Sequence, residues 1–352
     1  MFALAVHAKR SGASKETARD LLRNSPYGRG EREDDIKRIL NKIYDDGQEM
    51  VSYNDSDNNG DNLLHSVSAL SGQYVLNLNK KKDNTEYELK TIHPGIDDLT
   101  GGLRRGELYI IAGRPAAGKT TYAINIVSCL CKKNKKVLML TTEMKHGQVI
   151  DRLVSHETQI DGMLIERCHL TGEQLNSIET FAQQTLSTYK LDISDSFIPS
   201  IRQVERYVDN VKPDLLVFDH VQHIVGGSNE NETRTISTFV RNLKSLAMKY
   251  NCAVLLVSQL RRPQTGLNFK TGKRVVAPPN LMDLKGCGTL EEEAAAVLLL
   301  HENGEQIDGD NTYFSTVDLA KNRFGPTRMF YFQFAKPVYT FKPIQGGCNE
   351  ST

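Results

Sequence analysis

Eight residues about a third of the way along the chain, Gly113 to Thr120, read GRPAAGKT and lie between an apolar run, LYIIA, and a segment of helical periodicity. A strand that ends in a glycine-rich turn and reopens as a helix leaves several backbone N–H groups pointing into one small space at the positive end of the helix dipole. Such a space suits phosphate oxygens. The spacing is G-x-x-x-x-G-K-[ST]: Gly113 and Gly118 let the loop curl, Arg114, Pro115, Ala116 and Ala117 form its wall, Lys119 reaches the β and γ phosphates, and Thr120 offers its hydroxyl to Mg²⁺. Thr121 closes the candidate set as a capping or packing neighbour. The expected ligand is Mg·ATP or another nucleoside triphosphate. A chance glycine-rich turn is the competing reading, and it leaves the flanking strand and helix unexplained.

A phosphate loop of this kind needs a carboxylate on the magnesium side, and LLVFDH supplies Asp219 after the apolar run Leu215 to Phe218. There it would hold Mg²⁺ through water and so help screen charge on the γ-phosphate. Alone, it could equally be a turn residue. Val137 to Thr141 runs into TTEM and places Glu143 at the carboxyl edge of the sheet, where ligands of open α/β folds bind. The spacing makes it the candidate base for an attacking water, or else simply the start of the next helix. VLLVSQL puts Gln259 at the end of another strand, either within reach of a γ-phosphate or as a polar cap.

The texture around these residues predicts the fold class. Strands are expected at Leu108–Ala112, Val137–Thr141, Leu215–Phe218, Ala253–Val257 and Val297–Leu300, then at Thr312–Ala320, Met329–Phe334 and Val338–Phe341. The first five are near-continuous apolar runs, as in strands covered on both faces. Helices are expected at Thr120–Cys131, Gln148–Thr158, Gly172–Leu186, Ile201–Val211 and Thr233–Tyr250. Alternating strands and helices give an α/β, mostly parallel, doubly wound sheet, with an antiparallel extension where the last three strands follow one another. Before this core, residues 1–50 predict a small helical module, with Ile36, Ile39, Leu40 and Ile43 on one stripe and a capping region at Ser14, Glu16 and Thr17. Residues 51–91, opening with SYNDSDNNGDN, read as linker and connector, 92–345 as the core, and 346–352 as a tail.

Charge and composition narrow the setting. The longest apolar stretch, Ala294 to Leu300, is far short of the ~20 residues a spanning helix needs. Scattered cysteines without a C-x-x-C pair support neither a zinc ribbon nor a disulfide framework. The expectation is an intracellular, cytoplasmic protein without a membrane partner. Net charge is +1, yet residues 258–286 carry Arg261, Arg262, Lys270, Lys273, Arg274 and Lys285 against the single Asp283. A basic, Gly- and Pro-punctuated loop just beyond Gln259 suits a nucleic-acid backbone gripped through its phosphates, or else is a solvated loop. Only Phe269 could stack on a base there. Further on, KNRFGPT offers Lys321 and Arg323 two residues apart at a strand edge with no acidic partner nearby in sequence, which suits an arginine finger reaching a neighbouring subunit's site.

In order, HPGIDDLTGGLRRGELYIIAGRPAAGKTTYAINI, TTEM, LLVFDHVQHI, LLVSQLRR, NLMDLKGCGTLEEEAA and KNRFGPT resemble the successive motifs of DnaB-type replicative helicases, over about Ile92 to Ile344. The resemblance implies a RecA-like P-loop NTPase core, a homohexameric ring, and ATP-driven 5′ to 3′ unwinding of duplex or forked DNA around a central single strand. It implies nucleotide binding by Lys119 and Thr120, Glu143 as general base, Asp219 on Mg²⁺, and Gln259 coupling nucleotide to the DNA loop. Lys321 and Arg323 would act in trans. A RecA- or RadA-like recombinase and an ATP-gated DNA clamp that does not unwind are the alternatives. Where the family has Arg-Glu-Ser-Gly in its DNA-contact loop this chain has Lys285, Gly286, Cys287 and Gly288, so those contacts carry over less directly than the ATP site. The family's large N-terminal helical domain has no counterpart in residues 1–50; that segment instead resembles the small helical part closing primase modules in phage and plasmid primase-helicases. The start at Phe2, mid-helix in that pattern, suggests a fragment of a longer protein, with a primase attached or separate.

Overall fold

The computed structural model describes residues 14–24, isolated positions between 34 and 78, and 89–344 apart from 196–199, 225–229, 262–264, 268–273, 285–287 and 308–310. The chain divides into two compact units, Met1–Thr85 and Glu86–Thr352. In the first, helix α1 (Lys15–Asn24) begins where the Thr17 N–H donates to the Ser14 hydroxyl at 3.2 Å, and it buries Ala18 and Leu22. Ile36 and Leu40 are buried as well; Ile39, Ile43, the linker at 52–62 and the tail lie outside the described residues.

The second unit is built on β1 (Leu108–Gly113), β2 (Val137–Thr141), β3 (Leu191–Ser194), β4 (Leu215–Asp219), β5 (Ala253–Gln259) and β8 (Ala296–Ile307), which pair in parallel. An antiparallel extension adds β9 (Thr312–Asn322), β10 (Arg328–Ala335) and β11 (Thr340–Pro343). Among the described residues these strands form one nine-stranded sheet in the order β11-β10-β9-β8-β1-β5-β4-β2-β3. Successive residues of a strand point to opposite faces, so β1 sends Tyr109 and Ile111 into one apolar cluster and Leu108, Ile110 and Ala112 into the other. The first cluster lies under α3 (Lys119–Lys132) and α4 (His146–Thr158), the second under α7 (Ile201–Val211) and α8 (Glu230–Lys249). Ile236, Phe239, Val240, Leu243, Leu246 and Ala247 of α8 are all buried, as their spacing requires.

Several features differ from the expectation, among them the last strand, which begins at Thr340 because Val338 and Tyr339 lie in the turn before it. Helix α2 (Pro94–Thr100) is set by its ends and not by an apolar stripe: His93 Nδ1 accepts the Gly95 N–H, Pro94 opens the first turn, and Gly101 closes it in the left-handed region. Leu89, read as connector, is fully buried and bridges to Leu103, so the ordered core begins before Ile92. Edge strand β3, LDIS, is short and only half-buried, without the run of apolar residues that betrays an interior strand. Short helix α5 (Gly162–Glu166) precedes α6 (Gly172–Gln184), which has no buried residue. Among the described residues no helix is long and apolar enough to cross a membrane.

The antiparallel extension supports the phosphate loop. Gly118 has φ +84°, and a Cβ there would lie 2.8 Å from Phe341 and 2.9 Å from Phe334, whose rings stack at 4.2 Å. Mid-helix in α3, buried Asn125 clips β11 in place: its Nδ2 donates to the Tyr339 carbonyl at 2.9 Å and its Oδ1 accepts the Phe341 N–H at 2.8 Å. Replacing Asn125 with Ala strands a buried donor and acceptor, and is expected to cost about 1–3 kcal/mol per stranded group. Denaturant melts check this: a midpoint unchanged from the parent chain contradicts the clip.

Candidate functional site

The loop between β1 and α3 wraps around Lys119, which is 9% exposed. Its Nζ donates to the Arg114 carbonyl at 3.0 Å, folding the ammonium back across the loop. Burial lowers the Lys119 pKa, while the carboxylates of Asp219 and Glu143 pull it back up. Pro115 and Ala116 are exposed, Ala117 and Thr121 buried; Thr121 packs inside the helix, consistent with a neighbour that does not face phosphate. Arg114 does more than line the loop, since its Nη2 donates to the Ala277 carbonyl at 2.6 Å and ties the phosphate loop to the segment returning from the basic region.

Asp219 ends β4 beside Thr141 of β2 and is 1% exposed. The Thr120 hydroxyl donates to its Oδ2 at 2.7 Å, and its Oδ1 is buried without a hydrogen-bond partner. Burial pushes this carboxyl up to about 6, with Glu143 adding to the rise and Thr120 and Lys119 opposing it. A hard oxygen held next to a threonine hydroxyl, with one lone-pair face unused, fits Mg²⁺. Among the described residues no group of three or more His, Cys, Asp or Glu side chains gathers as a metal cage.

Glu143 stands two residues beyond β2, with its side chain 53% exposed and its Oε2 3.4 Å from Nε2 of His220. Gln259 ends β5 level with Gly113 of β1, and its amide nitrogen lies 3.1 Å from the same His220 Nε2. Its backbone N–H donates to Gln222 Oε1 at 3.0 Å, and Gln222 Nε2 donates to the Ser258 hydroxyl at 2.7 Å. Lys119, Thr120, Asp219, Glu143 and Gln259 therefore meet at the carboxyl edge of the parallel strands. His220 and Gln222 join them unforeseen; their alternation with Val221 after Asp219 was the available signal.

The basic region starts directly at Gln259. Leu260 bridges to Leu284, and the Arg261 N–H donates to the Asp283 carbonyl at 2.7 Å, closing the base of the excursion. Within it β6 (Thr265–Leu267) pairs antiparallel with β7 (Arg274–Val276), so the expected loop contains a two-stranded ribbon. Arg261 is exposed and Arg274 opens β7, whereas Arg262, Phe269, Lys270, Lys273 and Lys285 lie outside the described residues. Gly288 is exposed and opens helix α9 (Gly288–Glu293).

Lys321 and Arg323 lie elsewhere. Asn322 pairs with Ala296, which pairs with Tyr109, so these cations sit level with the start of β1, roughly 13 Å along the strand from Gly113 at about 3.3 Å per residue. That is the amino edge of the parallel strands, opposite the phosphate loop. Nor are they without local partners, as sequence spacing implied. Lys321 Nζ donates to the Glu291 carbonyl and, at 3.3 Å, to that of Glu292, and the Arg323 guanidinium donates to the Glu292 carbonyl. Both cations cap the carboxyl end of α9; burial and the adjacent Arg323 lower the Lys321 pKa, and Glu291, Glu292 and Glu293 oppose that fall. The sheet register joins residues about thirty positions apart, which is why their spacing in the chain conceals the contact.

Comparisons with known proteins agree with this arrangement. Residues 89–343 match the family described as the DnaB-like helicase C terminal domain. A probable replicative DNA helicase of Trieres chinensis is 30% identical over 256 residues, covering 68% of this chain and 53% of that protein. The replicative DNA helicase DnaB of Geobacillus stearothermophilus is 29% identical over 281 residues, 76% of this chain and 60% of that one. The chain thus spans somewhat over half the length of these relatives. Among solved structures, an isolated ATPase domain superposes with a TM-score of 0.66 at 22% identity, covering 80% of this chain and all of that one. A DnaB-like replicative helicase studied with its primase interactions gives 0.65 at 22%, covering 79% and 71%. At these identities the structural likeness establishes the fold alone, a RecA-like α/β core.

The buried Asp219 carboxyl makes stability depend on pH. Its folded value near 6 exceeds the ordinary 3.8, so its contribution is fully present below 3.8 and is lost as pH rises through about 6. Asp219→Asn, which carries no charge, should therefore be more stable than the parent chain at pH 8 by roughly 1–3 kcal/mol. The two melting curves should draw together as pH falls towards 4. An Asn variant less stable than the parent at pH 8 contradicts the assignment.

Proposed function

Because the chain belongs to the DnaB-like helicase C terminal domain family, we propose that it is the motor of a ring-forming replicative DNA helicase that hydrolyses Mg·ATP to translocate on single-stranded DNA and unwind forked duplex. The observation that carries this reading is the division of labour across the sheet. Lys119, Thr120, Asp219, Glu143 and Gln259 gather at one edge, and Lys321 and Arg323 at the other. A cation at the amino edge is remote from its own chain's phosphate loop but can meet the loop of the next copy in a head-to-tail ring.

In this reading the phosphate-loop amides and Lys119 bind the β and γ phosphates, and Glu143 takes the proton of the attacking water. Thr120 and Asp219 would hold Mg²⁺, which when bound would screen the phosphate charge. Arg323, with Lys321 beside it, leaves the α9 carbonyls to neutralise charge developing on the neighbour's γ-phosphate. Gln259 senses that phosphate and, through Leu260 and Arg261, moves the root of the basic excursion, whose Arg261, Arg262, Lys270, Lys273 and Arg274 grip the DNA backbone together with Lys285 and Gly288, which follow it in the chain. Polarity 5′ to 3′, a hexameric state and a primase partner, fused or separate, follow the family resemblance.

With Mg·ATP the chain should displace a strand from a fork with single-stranded tails. ATP hydrolysis without displacement points to a clamp, and pairing of homologous strands to a recombinase; either contradicts the motor. Arg323→Ala should leave nucleotide binding nearly intact and cut DNA-stimulated hydrolysis by roughly 10³. Weakened binding with unchanged turnover contradicts the finger role.

A further inference from the structure

His220 is 2% exposed, and its backbone N–H donates to the Thr142 hydroxyl at 3.2 Å, fixing it at the seam between β2 and β4. One atom of its ring, Nε2, faces both Glu143 Oε2 at 3.4 Å and the Gln259 amide nitrogen at 3.1 Å. A ring nitrogen has one in-plane bonding position: it carries a hydrogen and donates, or offers a lone pair and accepts. The Gln259 amide nitrogen only donates and a carboxylate only accepts. Nε2 can therefore serve one of the two at a time.

We propose that His220 is a positioning residue that makes the Glu143 base answer to Gln259, an inference that rests on the ATPase reading above. While Gln259 donates one N–H to Nε2, the ring has no hydrogen there for Glu143, and the carboxylate is free to meet the attacking water. The second N–H of the same amide remains for a γ-phosphate oxygen. When Gln259 turns away with the ribbon rooted beside it, the proton that Glu143 took from the attacking water passes to the vacated Nε2 lone pair, and the Nε2–H of the resulting imidazolium holds the Glu143 carboxylate aside. Hydrolysis is thereby tied to the nucleotide and DNA state that Gln259 reports.

Steady-state ATPase kinetics with and without single-stranded DNA test this on the full chain. His220→Phe keeps a ring and removes the nitrogen; the ratio of stimulated to unstimulated kcat should fall at least about fivefold, with the KM for ATP within about twofold. Gln259→Ala should lower the ratio similarly, and the double variant no further, because both changes break one link. His220→Gln places an amide where Nε2 stood and should restore most of the ratio, which a merely structural role does not predict. Where melting and nucleotide binding show that His220→Phe does not fold, His220→Leu takes its place in the cycle. A ratio preserved in the nitrogen-less variant, or single effects that multiply in the double variant, overturns the inference. A parent chain whose ATPase is not stimulated by DNA overturns the motor reading itself, a distinct outcome.

Discussion

The hydrogen bond between the half-buried Thr120 hydroxyl and the buried Asp219 carboxylate, 2.7 Å long, joins the first turn of the helix after the phosphate loop to the end of a strand two places away in the sheet. It exists because β1, β5 and β4 run parallel and in register, so that their carboxyl ends arrive at one level. A buried carboxylate is costly to ionise, and here burial raises its pKa while a hydroxyl donor and the Lys119 ammonium resist that rise. The remaining lone-pair face at Oδ1 makes the site suited to a cation. Stability forgone at Asp219 and affinity available there are two views of one electrostatic fact.

The rest of the core keeps this edge in place. Apolar strands covered on both faces hold β1 and β4 in register, and Asn125 draws β11 against the phosphate-loop helix. The stacked Phe334 and Phe341 rings then press on Gly118, leaving no room for a Cβ at a position whose positive φ already favours glycine. The antiparallel strands also carry Lys321 and Arg323 to the opposite edge and anchor them on α9. Helix α9 begins at Gly288, the last residue of the stretch that aligns with the family's DNA-contact motif. One short helix therefore joins the two regions assigned to DNA and to the neighbouring site.

Much of this was legible from residue order. Interior strands declare themselves because both faces must be apolar, and residues that follow them, Asp219, Glu143 and Gln259, are forced to the carboxyl edge whatever their roles. Features resting on one polar atom in an apolar setting were not legible: Asn125 reads as an ordinary helix residue, and His220 and Gln222 as filler after Asp219. Leu89 and β3 escaped because an isolated apolar residue and a four-residue edge strand carry no periodicity. The partners of Lys321 and Arg323 escaped because backbone carbonyls have no signature in a sequence, and the ribbon at β6 and β7 because its strands are three residues long, too short to show an alternation.

The central claim, that the catalytic centre is shared between copies, is tested most directly by mixing Arg323→Ala chains with Glu143→Ala chains, each inactive alone. A mixed ring contains interfaces with an intact Glu143 on one side and an intact Arg323 on the other, so DNA-stimulated ATPase activity should reappear, greatest near equal proportions. Mixed assemblies verified by mass that remain as inactive as either parent, while small additions of unaltered chain restore turnover in proportion, would contradict a shared site.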